Sequence, residues 1–164
     1  MTVDGTHCPI YEPRPFSTKW SSHKLGGAAG LDYEIALRIH KPQCVWVNGP
    51  FPAGTNDITI YKEALKEKIP PGKKVIGDKG YKGEHETIST WNEFDPREVG
   101  EFKERAQARQ ETFNARIKNW ACLTKKFRQD HELHKACFES IVVLQQYEMD
   151  NGSQEPLFDA FPAT

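Results

Sequence analysis

A short strand that ends in a glycine-bracketed turn is the feature of this sequence that most constrains its fold. Residues 74–76 contain a β-branched pair that favours a strand. Gly77 and Gly80 follow, and they predict an abrupt turn. Asp78 lies inside that turn, so we expect its carboxylate at the end of the strand, where α/β proteins often place functional groups. Such a carboxylate needs a cation or hydrogen-bond donors, because its desolvation is otherwise costly.

The length and charge of the chain limit its organisation and its partners. With 164 residues, the chain is long enough for one domain with a sizeable core. We expect that domain over residues 1–150 and a C-terminal tail over residues 151–164. The formal net charge is −1, so the overall charge does not favour nucleic-acid binding, and any such surface has to be a local patch.

The spacing of the cysteines and the lack of a long apolar stretch predict the cellular compartment of the protein. The four cysteines are widely spaced and form no Cys-x-x-Cys pair, which indicates neither a cysteine zinc site nor a disulfide framework. The sequence shows no signal-peptide pattern at its start and no apolar stretch long enough to cross a bilayer. We therefore expect a soluble, intracellular protein with reduced thiols and no membrane partner.

Hydrophobic periodicity predicts a strand-rich N-terminal half. Apolar and polar residues alternate over 31–39, which predicts a half-buried strand, and residues 43–48 predict a second strand that pairs with it as a hairpin. Residues 2–6 resemble the end of a strand. A helix is predicted over residues 58–68, and a less clear strand over residues 87–91.

Two helices are predicted in the C-terminal half. Apolar residues recur every seven positions from Val99 to Phe127, which draws one apolar stripe along a single long helix. A final helix is predicted over residues 131–149, and we expect it to be buried because it is apolar nearly all round between Ala136 and Leu144. The order of elements suggests a mixed sheet with helices on its faces.

Three acidic residues are candidates for one metal site. Asp4 precedes a glycine at the end of a strand, as Asp78 follows one, and neighbouring strands would place the two carboxylates side by side. Like charges this close repel each other, and a divalent cation is the usual remedy. Glu111 lies about 200° around its helix from the apolar stripe, at about 100° per residue. It shares that face with Asn114 and Lys118.

Each candidate also has a simpler interpretation. Asp4 and Asp78 can be ordinary turn residues, and Glu111 can be a solvated residue on an exposed helix face. His7 can ligate a metal or serve as a polar neighbour of Asp4. Asp57 is better explained as a helix cap than as a ligand. The chain has 23 Asp and Glu residues, so the spacing of three acids carries almost no weight and their context has to decide.

Five short motifs occur in the order that is typical of one protein family. They are Val3-Asp4-Gly5-Thr6-His7, Phe16-Ser17-Thr18-Lys19 with the later Tyr33-Glu34-Ile35, Asn48-Gly49-Pro50-Phe51-Pro52 through Asp57, Gly77-Asp78-Lys79-Gly80-Tyr81, and the run from Ala108 to Lys118. Together they resemble the catalytic domain of DDE transposases of the PIF/Harbinger and IS5-like type. The resemblance runs from Asp4 to about Phe158. No single motif is specific, but five in sequence form a strong signal.

The resemblance implies an α/β, RNase H-like fold. Its mixed β-sheet has three antiparallel strands followed by parallel strands, and helices flank the sheet. By position, Asp4, Asp78 and Glu111 match the family's metal-binding carboxylates, which hold two Mg²⁺ or Mn²⁺ ions for in-line attack on a DNA phosphodiester. Four basic residues near these positions are candidates for holding DNA phosphates: Lys79, Lys82, Arg116 and Lys118.

The resemblance also implies a function and partners. We expect a metal-dependent DNA endonuclease or transposase domain in the nucleus, with DNA as its partner and with a homodimer or a separate DNA-recognition protein beside it. Complete members usually carry an N-terminal helical region, so we expect a truncated chain whose first strand has few ladder hydrogen bonds. Two alternatives stay open: a non-catalytic, transposon-derived protein that binds DNA or another protein, and an RNase H-like nuclease that acts on another nucleic acid.

Overall fold

The chain folds into a five-stranded sheet with helices on its faces. The computed structural model describes residues 1–152 and Leu157. The strands are β1 (Thr2–Pro9), β2 (Gly30–Leu37), β3 (Cys44–Pro52), β4 (Val75–Gly77) and β5 (Ile88–Ser89). The α-helices are α1 (Asp57–Glu63), α2 (Arg97–Ile117), α3 (Ala121–Thr124) and α4 (His131–Asp150).

The directions of the strands confirm the predicted mixed sheet. The strand order is β3-β2-β1-β4-β5. β1 pairs antiparallel with β2, and β2 pairs antiparallel with β3, whereas β4 is parallel to both β1 and β5. A parallel pair needs a crossover connection, which α1 supplies between β3 and β4. This open α/β sheet is consistent with the RNase H-like fold that the resemblance implies.

The side chains of β1 and β2 alternate between two cores. Tyr33 of β2 lies in one apolar cluster with Phe113 of α2 and Phe138 of α4. Val3 of β1 lies in a second cluster with Tyr61 of α1. Because neighbouring residues of a strand point to opposite faces, the odd positions of β1 face α1 and its even positions face α2. We call these two sides the α1 face and the α2 face.

The first strand is longer and better paired than the sequence predicts. Residues 2–6 predict a strand remnant with few ladder hydrogen bonds, but β1 spans Thr2–Pro9 and each of its eight residues has a partner in β2. That expectation is therefore wrong. Gly5 and Pro9 are poor strand formers, so their place in the ladder depends on the pairing with β2 rather than on local preference.

The helices differ from their predicted extents. α2 ends at Ile117, so the predicted apolar stripe from Val99 to Phe127 does not lie on one helix. Leu123 of α3 packs in the same core as Ile117, and the apolar repeat therefore continues in a second, short helix. α4 is not buried all round, because Val143 is 67% exposed. The helix predicted over residues 58–68 is split into α1 and a 3₁₀ turn over Lys66–Lys68.

Further expectations concern the end of the chain and its compartment. The tail predicted over residues 151–164 lies outside the described residues, apart from Asn151, Gly152 and Leu157. All four cysteines are free thiols. Within the described part of the chain, no helix combines the length and the apolarity that crossing a bilayer requires.

One acid of β2 is buried on the α1 face. Glu34 is 1% exposed. Its Oε2 accepts a hydrogen bond from Trp46 Nε1 at 2.8 Å, whereas its Oε1 has no hydrogen-bond partner among the described residues. Burial raises the pKa of Glu34 to about 7, and the hydrogen bond from Trp46 opposes that rise. The folded protein therefore keeps a proton on Glu34 that the unfolded chain releases.

We expect Phe113→Ala to lower the free energy of unfolding by about 3–5 kcal/mol, because the substitution leaves a cavity in the core between α2 and the sheet. Phe113 is 0% exposed, whereas Phe94 is 84% exposed, so Phe94→Ala is a matched control that should change little. Urea unfolding followed by circular dichroism measures both variants. Equal free energies for the two would contradict the assignment of Phe113 to the core.

We expect Glu34→Gln to stabilise the protein by an amount that grows as the pH rises. Between the ordinary pKa of 4.5 and the folded value of about 7, the native state binds the proton more tightly, so the wild type loses stability with rising pH. Gln keeps the acceptor for Trp46 and does not titrate. The difference between variant and wild type should grow by about 2–3 kcal/mol between pH 4.5 and pH 7.5.

Urea unfolding in the presence of a chelator, at several pH values, measures this difference. The control is Glu104→Gln, since Glu104 is exposed on α2. A pH-independent difference between Glu34→Gln and wild type would show that folding does not raise the pKa of Glu34.

Candidate functional site

The two predicted aspartates lie on neighbouring parallel strands: Asp78 directly follows β4, whereas Asp4 lies within β1 and not at a strand end as the sequence predicts. Val3 of β1 pairs with Gly77 of β4, and Asp4 and Asp78 are the next residues along the two strands. The predicted adjacency of these strands is therefore confirmed. Asp78 also caps the turn that follows β4, because its Oδ1 accepts a hydrogen bond from the Gly80 N–H at 2.8 Å.

Two glutamine side chains fasten α2 to these strands. Gln107 Nε2 donates a hydrogen bond to the carbonyl oxygen of Gly77 at 3.0 Å, at the end of β4. Thr2 Oγ1, at the start of β1, donates to Gln110 Oε1 at 2.6 Å. Residues three or four apart lie on one face of a helix, so the two glutamines hold a single face of α2 against β1 and β4.

The same face of α2 carries the third predicted acid and a partner for Asp4. Asn114 Nδ2 donates a hydrogen bond to Asp4 Oδ2 at 2.7 Å. Glu111 lies one turn before Asn114 and next to Gln110, so the contacts that hold this face also place Glu111 on the side of α2 that faces β1 and β4. The sequence-based placement of Glu111 away from the apolar side of the helix agrees with this geometry.

All three predicted acids line one open cavity of about 400 Å³. Asp4 and Asp78 are partly buried and Glu111 is exposed. Two basic residues, Lys24 and Lys118, line the same cavity. The structure thus places the three acids, which lie far apart in the chain, around one cavity together with two lysines, although their carboxylate oxygens do not all lie within 4.8 Å of one another.

The charge of Asp4 is unfavourable in the protein without a cation. Burial raises the pKa of Asp4 to about 6; nearby Lys24 opposes the rise, and the charges of Asp78 and Asp57 add to it. The Gly5 N–H donates a hydrogen bond to Asp4 Oδ1 at 2.8 Å, which favours the charged form. A divalent cation in the cavity would offset the repulsion between these carboxylates.

The four basic residues predicted to hold phosphates do not all reach the cavity. Lys118 lines it. Lys79 and Lys82 are exposed in and after the turn that follows β4, next to Asp78, and Arg116 is partly buried on α2. Of the four predicted residues, only Lys118 lies in the lining of the cavity.

Sequence analysis missed Lys24. Its Nζ donates a hydrogen bond to the Gly5 carbonyl oxygen at 3.2 Å and lies 3.9 Å from Asp57 Oδ2. Lys24 belongs to a 3₁₀ turn in the connection between β1 and β2. No local pattern identifies it, because it reaches the strand ends only when that connection folds back over β1.

The prediction that Asp57 caps α1 is wrong. The N-cap is Asn56, and Asp57 is the first helical residue. The Asp57 carboxylate approaches the sheet instead: a Cβ atom on Gly5 would lie 2.7 Å from Asp57 Oδ1, and one on Gly80 would lie 2.6 Å from Asp57 Oδ2. Burial raises the pKa of Asp57, and the charge of Lys24 opposes that rise.

His7 lies behind Asp4 rather than beside it. Its position in β1 is odd, so its ring is on the α1 face, whereas Asp4 points to the α2 face. His7 Nδ1 lies 2.6 Å from Ser22 Oγ, and His7 Nε2 lies 3.5 Å from Asp32 Oδ1. Burial raises the pKa of Asp32 to about 7, with a further contribution from the charge of Asp57.

Comparison with known proteins bears on the same region. A family model described as DDE superfamily endonuclease matches residues 3–146. No curated protein and no solved structure matches the chain. The matched residues contain four strands and all of β1 except Thr2, and they include Asp4, Asp78 and Glu111. Since the match covers most of the chain, this protein belongs to the DDE superfamily endonucleases.

Proposed function

We propose that this chain is a metal-dependent DNA endonuclease or transposase domain in which Asp4, Asp78 and Glu111 bind two Mg²⁺ or Mn²⁺ ions. The observation that carries the proposal is the cavity that these three acids line together, in a chain of the DDE endonuclease family. Separately, each acid has an ordinary structural explanation. Their position around one cavity does not.

The donor chemistry of the three residues fits hard divalent cations. All three offer carboxylate oxygens, which Mg²⁺ and Mn²⁺ prefer. Asp78 uses Oδ1 to cap its turn, which leaves Oδ2 for a cation. Each oxygen of Asp4 accepts one hydrogen bond, and a carboxylate oxygen keeps a second lone pair. When bound, such a pair of ions supplies an activated nucleophile and stabilises the leaving oxygen.

The residues around the acids have separate tasks in this proposal. Asn114 fixes the orientation of Asp4 through its amide hydrogen bond. Lys24 and Lys118 line the cavity and would attract the phosphate groups of the substrate. A rigid helix carries Glu111, so its backbone is set before cations and substrate arrive.

The surroundings of the cavity support a nucleic-acid substrate. The cavity is open, and exposed Lys79 and Lys82 extend the positive charge beyond Asp78. Contacts of lysines to phosphates would be independent of the nucleotide sequence, and the family of this chain favours DNA among nucleic acids. We therefore propose duplex DNA as the substrate, in the nucleus, with a homodimer or a separate DNA-recognition protein providing target selection.

We expect Asp78→Asn to reduce Mg²⁺- or Mn²⁺-dependent nicking of plasmid DNA by more than about 100-fold, because it removes a ligand charge from the metal site. Asn keeps an oxygen for the Gly80 N–H, so the turn should persist. Chelation of the metal should abolish nicking by the wild type. Glu104→Gln, on an exposed part of α2, is the control and should retain activity. Nicking that persists in Asp78→Asn and in chelator would refute the proposal.

The same assay separates the proposed substrate from another nucleic acid. Duplex DNA and an RNA–DNA hybrid of the same sequence are offered to the wild type at equal concentration. Preferential cleavage of the duplex DNA is the expected result. Preference for the hybrid would identify an RNase H-like nuclease instead.

We expect Asn114→Ala to lower the cleavage rate about 10- to 100-fold and to raise the Mn²⁺ concentration needed for half-maximal activity, because Asp4 loses the amide that orients it. Asn119→Ala is the matched control, since Asn119 is exposed beyond the end of α2. Urea unfolding of both variants shows whether stability changes as well. An unchanged Mn²⁺ requirement in Asn114→Ala would show that Asn114 supports the fold alone.

A further inference from the structure

A second group of potential ligands lies on the α1 face, on the other side of β1 from Asp4. His7 of β1 and Asp32 of β2 are direct partners in the antiparallel ladder, so their side chains lie together on that face. Asp57, at the start of α1, approaches them from above the sheet. One potential ligand atom from each of the three residues lies within 4.8 Å of the others.

Two of these side chains are deeply buried and lack partners at the cluster. Asp32 is 0% exposed and His7 is 6% exposed. Neither carboxylate oxygen of Asp32 nor Nε2 of His7 has a hydrogen-bond partner among the described residues. The neighbouring carboxylate of Asp57 is itself an acceptor and cannot satisfy them when ionised. Unsatisfied buried polar groups are costly, and either a bound cation or a proton shared between Asp32 and Asp57 would satisfy these atoms.

The ring of His7 is held in the orientation that a metal ligand needs. Ser22 Oγ accepts a hydrogen bond from the Leu25 N–H at 3.1 Å and lies 2.6 Å from His7 Nδ1. Its second lone pair can accept the proton of Nδ1, which leaves the lone pair of Nε2 facing Asp32. Metal-ligating histidines are commonly fixed by such a bond at their other ring nitrogen.

Space and access to the cluster are also present. A cavity of about 410 Å³ opens on this face, and its lining includes His7, Lys24, Asp57 and Gly80. The absence of a side chain at Gly5 keeps the cluster open, because a Cβ atom there would lie 2.7 Å from Asp57 Oδ1 and 3.1 Å from Asp32 Oδ1. The cavity gives a cation access to His7 and Asp57, and Asp32 lies behind them, fully buried.

Lys24 does not take the place of that cation. Its Nζ lies 3.9 Å from Asp57 Oδ2 and donates to the carbonyl oxygen of Gly5. It makes no hydrogen bond to Asp32, whose two oxygens remain unpartnered within the described chain. The charge of Lys24 thus acts on both Asp57 and Asp32, but Lys24 makes no hydrogen bond to Asp32 or His7.

We propose that His7 Nε2 and the carboxylates of Asp32 and Asp57 bind one Zn²⁺ ion on the α1 face. An imidazole nitrogen with two carboxylates is a donor set that suits Zn²⁺ better than Mg²⁺. The ion ties β1, β2 and the start of α1 together, directly behind the strand that carries Asp4. This site is separate from the oxygen-only site of the proposed nuclease and does not depend on nuclease activity.

The test measures metal binding by the full chain rather than cleavage. The protein carries Asp78→Asn to weaken the other site, and it is freed of metal with a chelator that is then removed. Isothermal titration with Zn²⁺ should show about one tight equivalent, and Co²⁺ should produce visible absorption bands that reflect nitrogen coordination. Adding His7→Ala should weaken Zn²⁺ binding more than about 100-fold and remove the Co²⁺ bands. Adding His85→Ala, at an exposed histidine, should change neither.

A second variant covers the case in which His7→Ala does not fold. Asp32→Asn keeps the size of the side chain and should also abolish the tight equivalent, while circular dichroism verifies the fold. Zn²⁺ should raise the melting temperature of the His85→Ala protein and leave that of Asp32→Asn unchanged. Absence of tight binding in the Asp78→Asn protein, or equal binding after the His7 and Asp32 substitutions, would overturn the proposal and indicate that a shared proton satisfies the cluster.

Discussion

The arrangement of the candidate site depends on the amide side chains that bind α2 to the sheet. Apolar packing of residues such as Phe113 sets the distance between the helix and the sheet, but it tolerates small rotations and shifts. The hydrogen bonds of Gln107, Gln110 and Asn114 do not tolerate such shifts, because each requires a particular atom of β1 or β4 within about 3 Å. They fix the rotation of α2, and with it the direction of Glu111.

This use of amides has an electrostatic reason. Asp4 lies where burial and neighbouring acids disfavour its charge, so a buried basic partner would seem the simplest remedy. A strong ion pair would, however, occupy the oxygens that a cation needs. Asn114 orients Asp4 with a neutral donor, and Lys24 supplies positive charge from a distance. The site is therefore held in place without being neutralised, which is the condition under which a divalent cation binds well.

Local sequence patterns singled out Asp78 and Glu111 as candidates, and the resemblance to DDE transposases joined them with Asp4 in one predicted site. Asp78 stands out because glycines bracket it after a β-branched strand, and Glu111 because it lies away from the apolar side of its helix. Lys24 and Asp32 left no such signal, since their roles follow from how β1, β2 and their connection pair. The Asp57 prediction failed because Asp near a helix start is usually a cap, whereas here the adjacent Asn56 occupies that position.

The fold could be predicted further than the exact extents of its elements. Alternation in β2 and the separation of strands by helices were sufficient for a mixed sheet, because both are properties of local sequence. The end of α2 was not predictable, since Leu123 of α3 continues the apolar repeat after the helix has stopped at Ile117. The burial of α4 was overestimated because apolar residues are not always buried, and Val143 remains on the surface.

One strand carries two different chemistries because its side chains alternate. Asp4 projects towards α2, where amides and further acids surround it, and His7 projects towards α1, where Asp32 and Asp57 meet it. Gly5, the residue after Asp4, belongs to the α1 face of β1. Its φ is not in the left-handed region, so the reason for glycine there is space rather than backbone conformation. Because Gly5 has no Cβ, Asp32 and Asp57 on the α1 face can approach the backbone of β1 directly behind Asp4. The charge of Asp57 therefore contributes to the raised pKa of Asp4 on the opposite face.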